Sequence, residues 1–201
     1  NVNSSERELV LKHKTHWKKN DLIIYDRGYP SYDFINEHLT ARVDALARVR
    51  KNQNTAVITF INSKKRTAIV DILPHKEQDF TAKQYDKKTT IKVRLVRVDL
   101  PSGEIEILMT TLLDSQIYPS SMFKELYFRR WGIETFYDEL KNKLKVEFFT
   151  GYSKSTIMQD FFCAIFISNL QSVIVNSLQD ELKERNQNTR LNYKINTNLS
   201  Y

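Results

Sequence analysis

The segment YFRRWGIETFYDELK, residues 127–141, carries groups able to act on phosphate esters: the carboxylate of Glu134, cations at Arg130 and Lys141, and the phenol of Tyr127. An α-helix turns by about 100° per residue, so with Tyr127 at zero, Arg130, Glu134 and Lys141 fall at roughly 300°, 340° and 320°. On one continuous helix the four share a stripe. Leu126, Ile133, Leu140 and Leu144 fall at roughly 220° to 260° and form the adjoining edge that packs inward. Such a stripe can be a surface ion-pair ladder, which contributes little. Cations spread over three turns also suit neighbouring phosphates, each needing its own donor, while the carboxylate stays available to a hard cation.

A second carboxylate stands out at Asp26, which ends the run DLIIYD. Four consecutive apolar residues predict a strand buried on both faces, as in the centre of an α/β sheet. Asp26 there either organises the turn RGYP or sits where open α/β sheets build their sites, at a strand's carboxyl end. Ser31 is a candidate N-cap for a helix over SYDFINEHL, and ALARVR follows as a strand. Residues 4–19 read as a short basic amphipathic helix with Leu9, Val10 and Trp17 as core contacts. His13 and His16 in HKTH lack the further ligands of a metal site, which leaves a basic helix surface.

From Thr55 to Ser115 the runs TAVITFI, RTAIVDIL, IKVRLVRV and EIEILMTTLL are rich in β-branched residues, and the segment reads as all-β. DLPSGE between the last two is a hairpin turn. Beyond Ser120 the chain is helical through the opening motif, pauses near Gly151 and resumes from about Ser155 to Arg185 as an apolar core helix, with Cys163 as core filling. Trp131 is expected to pack. Asp138 and Glu139 read as solvated charges, and the Asn-rich end after Arg185 is expected to fray.

A chain of 201 residues can bury a sizeable core, and 41% hydrophobic with 27% charged residues excludes disorder. The net charge of +7 favours a polyanion such as nucleic acid. A single cysteine excludes an intrachain disulfide, and neither a signal peptide nor a membrane span is expected, which points to the cytoplasm.

Tyr127, Arg130, Glu134 and Lys141 match a Y-x2-R-x3-E-x6-K signature, and together with LIIYDRGYPSYDFI the chain resembles the bacterial insertion-sequence-four-type DDE transposases. The resemblance covers nearly the whole chain, most securely residues 21–50 and 120–152. It implies an α/β, ribonuclease H-like catalytic fold lacking its N-terminal strands, with an all-β insertion and C-terminal helices. In that scheme residues 1–54 hold the sheet with the second catalytic Asp, 55–116 the insertion and 117–201 the helical part. It further implies that Asp26 and Glu134 are catalytic and hold two Mg2+ ions, and that Tyr127, Arg130 and Lys141 contact DNA. Paired ions roughly 3.5 to 4 Å apart can clamp both the entering and departing oxygens of an in-line displacement. The implied partners are transposon ends and target DNA, engaged by a homodimer in a nucleoid-associated synaptic complex without a membrane.

The family's first aspartate has no counterpart in the 25 residues before Asp26, since Asp21 begins the same strand. The expectation is a fragment or a decayed reading frame that does not cleave DNA alone, with a non-catalytic or domesticated DNA-binding remnant as the alternative. No Trp lies between Trp17 and Trp131, so a stacking platform for a flipped base would fall to Phe80 or Tyr85.

Overall fold

The structure, a computed structural model, describes residues 5–76, 79–81, 83–187, 193 and 195. The chain divides into two units, residues 1–130 and 131–201. Most of the Asn-rich end lies outside the described residues.

The first unit opens with α1 (Glu6–Lys12), started by a capping box in which the Ser5 hydroxyl accepts from the Glu8 amide and the Glu8 carboxylate from the Ser5 amide. The helix stops after two turns and a 3-10 turn, Lys14–His16, replaces the continuous helix expected over 4–19. Strand β1 (Leu22–Tyr25), helix α2 (Tyr32–Ala41) and strand β2 (Asp44–Val49) follow as the sequence predicts. Ser31 caps α2 through the Phe34 amide, and Arg42 closes the helix in the left-handed region at φ 57°.

One element differs. TAVITFI, expected as a strand, is helix α3 (Thr55–Asn62). Asn54 accepts a 2.9 Å hydrogen bond from the Val57 amide and so caps a helix start, and Val57 and Phe60, three apart, supply its buried face. The cap and that face outweigh the β preference of the side chains, so the segment 55–116 is not all-β. Its strands β3 (Thr67–Ile72), β4 (Ile91–Asp99) and β5 (Ile105–Thr110) are where the β-branched runs predict them. The β4–β5 turn closes with the Leu100 amide donating to the Glu104 carbonyl, and Gly103 supplies the positive φ of 84°.

All five strands form one sheet in the order β1-β2-β5-β4-β3, with β1 and β2 parallel and the other pairs antiparallel. Strands β3, β4 and β5 therefore continue the β1–β2 sheet. Alternation sorts the side chains onto two faces. Tyr25, Ala45, Ala47, Val49, Val93, Leu95, Ile107 and Met109 join Phe34 and Ile35 of α2 and Val57 and Phe60 of α3 in the larger core. Leu46, Val96, Val98 and Leu108 meet Phe123 and Tyr127 of helix α4 (Met122–Phe128) in the second. Each fully buried apolar side chain contributes roughly 1.5 to 3 kcal/mol.

Two buried polar side chains of this unit, His38 and Arg94, are held by hydrogen bonds. The His38 Nδ1–H donates to the Phe34 carbonyl at 2.7 Å, so Nε2 accepts from the Tyr25 hydroxyl at 2.9 Å, with the Trp17 ring stacked 4.3 Å away. Arg94 donates through Nε to Thr67 Oγ1 and through Nη1 to the Tyr118 carbonyl, above the Phe123 ring. Tyr85 packs on Tyr32, with Phe80 edge-on to it.

The second unit holds α5 (Trp131–Asp138), a π turn (Glu139–Lys143) and α6 (Lys154–Gln187). The Leu144 amide donates to the Glu139 carbonyl five residues back, and Lys145 at φ 49° ends the run. α6, expected as a core helix, leaves Phe161, Phe162, Phe166 and Val173 exposed, and Cys163 is exposed as well. Among the described residues of α6, Ala164, Ser168 and Gln171 are buried. By length and composition α6 could cross a bilayer, a test that core helices of soluble proteins also pass.

Candidate functional site

Sheet alternation decides which polar side chains meet. Asp26 follows Ile24 by two residues, Arg48 follows Leu46 by two, and Glu106 precedes Leu108 by two, so all three lie on the face that packs against α4. The parallel pairing of Tyr25 with Ala47 sets Asp26 beside Arg48, and the antiparallel pairing of Arg48 with Leu108 makes Glu106 a diagonal neighbour. Arg48 spans both acids, with Nη2 3.2 Å from Asp26 Oδ1 and Nη1 2.6 Å from Glu106 Oε1. Its Nε is buried without a hydrogen-bond partner among the described residues.

α4 completes the cluster. Tyr127 is buried, 5% exposed, and its hydroxyl donates to Asp26 Oδ1 at 3.3 Å. The Arg130 guanidinium lies 5.7 Å from the Tyr127 ring centroid. Burial raises the Asp26 pKa, but the Arg27 amide, the charges of Arg48 and Arg130 and the Tyr127 hydroxyl together outweigh it, and the carboxyl sits below its ordinary value. Burial pushes the Tyr127 phenol up to about 12, against the pull of Arg130 and Arg48. At neutral pH Asp26 is therefore an anion and Tyr127 a neutral donor to it.

Asp26, Tyr127 and Arg130 are thus brought together in the first unit. Glu134 and Lys141 belong to the second. Glu134 stands exposed in the first turn of α5, where a carboxylate is favoured by the helix dipole. Lys141 lies in the π turn with Nζ 3.1 Å from Glu147 Oε1, an exposed pair. Asp138 accepts from Asn142 Nδ2 at 2.6 Å, and Trp131, expected to pack, is 49% exposed.

The single helix assumed for the motif is interrupted. The Arg129 amide donates to both Glu125 and Leu126 carbonyls and the Arg130 amide to Tyr127, a tightened final turn that ends α4 before Trp131 starts α5. The one-stripe angles for Tyr127, Arg130, Glu134 and Lys141 therefore do not hold. Arg48 and Glu106 were not anticipated; the available signal was a charge at the inward-facing period of an otherwise apolar strand.

The oxygens at Asp26 suit a hard divalent cation in charge, protonation and access, since 41% of its side chain is exposed. Among the described residues, no group of three or more His, Cys, Asp or Glu is gathered in a metal-binding arrangement. The rings of His13 and His16 lie 6.0 Å apart.

A family model described as the transposase DDE domain matches residues 1–170. No curated protein matches the chain.

Proposed function

Since the chain belongs to the transposase DDE domain family, we propose that it takes part in DNA transposition, cleaving and rejoining phosphodiesters with Asp26 and Glu134 as its acidic residues. The family acts on DNA and generally uses a divalent metal. The finer reading, an insertion-sequence-four-type member with a ribonuclease H-like fold and Mg2+, rests on the Tyr127, Arg130, Glu134 and Lys141 spacing and on LIIYDRGYPSYDFI. The observation that carries it is an ionised carboxylate at the end of β1, ringed by Arg48, Arg130 and Tyr127 on the sheet face that packs against α4.

In this reading Asp26 and Glu134 would hold the metal, which when bound supplies charge stabilisation at the entering and departing oxygens of a displacement. Arg48 fixes the Asp26 carboxylate against Glu106. Tyr127 donates to the same oxygen from within the core, which makes it a positioning residue more than a contact to DNA. Arg130 and Lys141 offer cations to phosphates, and Lys141 could exchange its exposed partner Glu147 for one at little cost. Paired copies acting on two transposon ends near the nucleoid belong to the same proposal.

The test is cleavage of the polypeptide itself by bound Fe2+ with ascorbate and peroxide. Cuts near residues 26 and 134, both suppressed by excess Mg2+ and by Asp26→Asn, are expected. Cuts at neither segment, or at 26 alone, would remove Glu134 from a shared metal site. One observation favours a second reading, a DNA-binding domain without chemistry: the Arg48 guanidinium already provides a cation at Asp26. That reading gains if Mg2+ leaves the Asp26 carboxyl resonance unmoved while DNA binds.

A further inference from the structure

Two clefts meet at the carboxyl ends of β1 and β2. Parallel neighbours end on the same side of a sheet, so the exits Asp26-Arg27-Gly28 and Arg50-Lys51-Asn52 emerge together. A cleft of about 450 Å3 has Arg7, Arg27, Arg50 and His75 in its wall, with Asn52 and Gln53 between them. Among the described residues no Asp or Glu lines it. A second, of about 490 Å3, shares Arg27, Arg50 and Asn52, adds Lys51 and Arg48, and includes Glu104 and Glu106 at its β5 side.

The side chains of Arg27, Arg50 and Lys51 have no hydrogen-bond or ion-pair partner among the described residues, and all three are exposed. Arg7 is held to the Gly28 carbonyl and Glu106 is occupied by Arg48. The caps Ser31 and Asn54 line the first cleft, so the amino ends of α2 and α3 add positive potential. Tyr32, 7% exposed, lines it too, and its hydroxyl is buried without a partner among the described residues. Arg27 and Arg50 thus stand in the wall of the first cleft and Lys51 in that of the second, and separate cations along a cleft suit successive phosphates.

We propose that this pair of clefts is a track for a nucleic-acid backbone, its phosphates bound by Arg27, Arg50 and Lys51, leading a strand past Asp26. Arg27 belongs to both clefts, and Arg48, in the wall of the second, is ion-paired to Asp26, so a strand crossing from one to the other runs beside the partner of that carboxylate. The proposal deepens the transposase reading by adding a DNA contact apart from Arg130 and Lys141, yet it does not need metal at Asp26 or Glu134.

Fluorescence anisotropy of the 201-residue chain with a labelled DNA duplex, in EDTA and over a salt series, tests it. The double variant Arg50→Gln/Lys51→Gln should bind more weakly, with a log K against log salt slope shallower by about 1.8 for two lost phosphate contacts. Lys64→Gln/Lys65→Gln, on the α3–β3 turn, removes the same charge elsewhere and should leave the slope nearly unchanged. Equal slopes for the two double variants, or no binding by the wild type, overturn the track.

Should the cleft variant fail to fold, acetylation of the wild type settles the matter: the duplex should protect Lys51 and leave Lys64 reactive. Protection of Lys51 by inorganic phosphate but not by the duplex would identify a small-anion site and overturn the track. Iron-directed cuts at 26 and 134 with an unaltered slope would refute the track alone. A shallower slope without those cuts would refute the metal site alone.

Discussion

The two units hold one proposed acid each, and they hold them differently. Asp26 ends a strand in a sheet whose two faces are buried, and its carboxylate is fixed by Arg48 and Tyr127 from two other elements. Glu134 sits on an eight-residue helix with no buried residue, and the long helix after it exposes much of its apolar surface. Pre-organisation is therefore concentrated at Asp26.

The sharpest way to break this contrast is to remove a ring from each unit. Phe123 is fully buried beneath Arg94, and Phe123→Ala should cost about 3 to 5 kcal/mol. Phe162, 58% exposed, should lose less than about 0.5 kcal/mol on the same change. Trp17 reports the first unit and Trp131 the second, so urea unfolding followed in Trp131→Phe isolates the first. Comparable losses for the two alanines would erase the distinction.

Arg48→Met sharpens it at the site. The change removes both ion pairs while keeping an apolar stem, and with Asp26 41% and Glu106 20% exposed the loss should be screened to about 1 kcal/mol. The Asp26 carboxyl should titrate closer to its ordinary value, followed by carboxyl carbon chemical shifts. Arg48→Lys should restore part of the depression. An unmoved Asp26 titration in Arg48→Met would make the Arg27 amide and Arg130 sufficient.

How much of this was legible follows the range of the interactions. DLIIYD, SYDFINEHL and ALARVR read correctly because burial pattern, cap and turn are local. TAVITFI is β-branched in composition and so reads as a strand, whereas the Asn54 cap and the Val57–Phe60 spacing, both local, make it a helix. Arg48 and Glu106 meet across 58 residues through strand register, which no local pattern encodes. The break at Arg129 and Arg130 escaped notice because both residues suit a helix interior, and α6 read as core because apolar composition alone does not name a partner.

Acidification tests the first unit's buried network. Burial holds the His38 pKa below 6.5, and the unfolded chain therefore takes up the proton first as pH falls. Stability contributed by neutral His38 is fully present above the unfolded value and is lost progressively as pH falls from about 6.5 through the folded value. The thermal midpoint read at Trp17 should decline across that window in the wild type and decline less in His38→Gln. Asp26, also depressed, keeps its contribution until pH falls through a lower range, below its ordinary value of 3.8. Equal slopes near pH 6 in both proteins would mean that His38 is not the titrating group.

The smallest effect belongs to Lys141. Its bond to Glu147 joins side chains that are 59% and 63% exposed, so water and salt screen the attraction and two flexible chains must be ordered to make it. Lys141→Gln should change the urea midpoint by less than about 0.5 kcal/mol in free energy. If the amine instead serves a phosphate, the same variant should make the DNA salt slope shallower by about 0.9. Measuring both separates a structural lysine from a ligand-facing one, because an ion pair within the unit would move the first quantity and leave the second alone. A stability loss near that of Arg48→Met would show the second unit to be as tightly organised around its charges as the first, and the asymmetry between Asp26 and Glu134 would have to be abandoned.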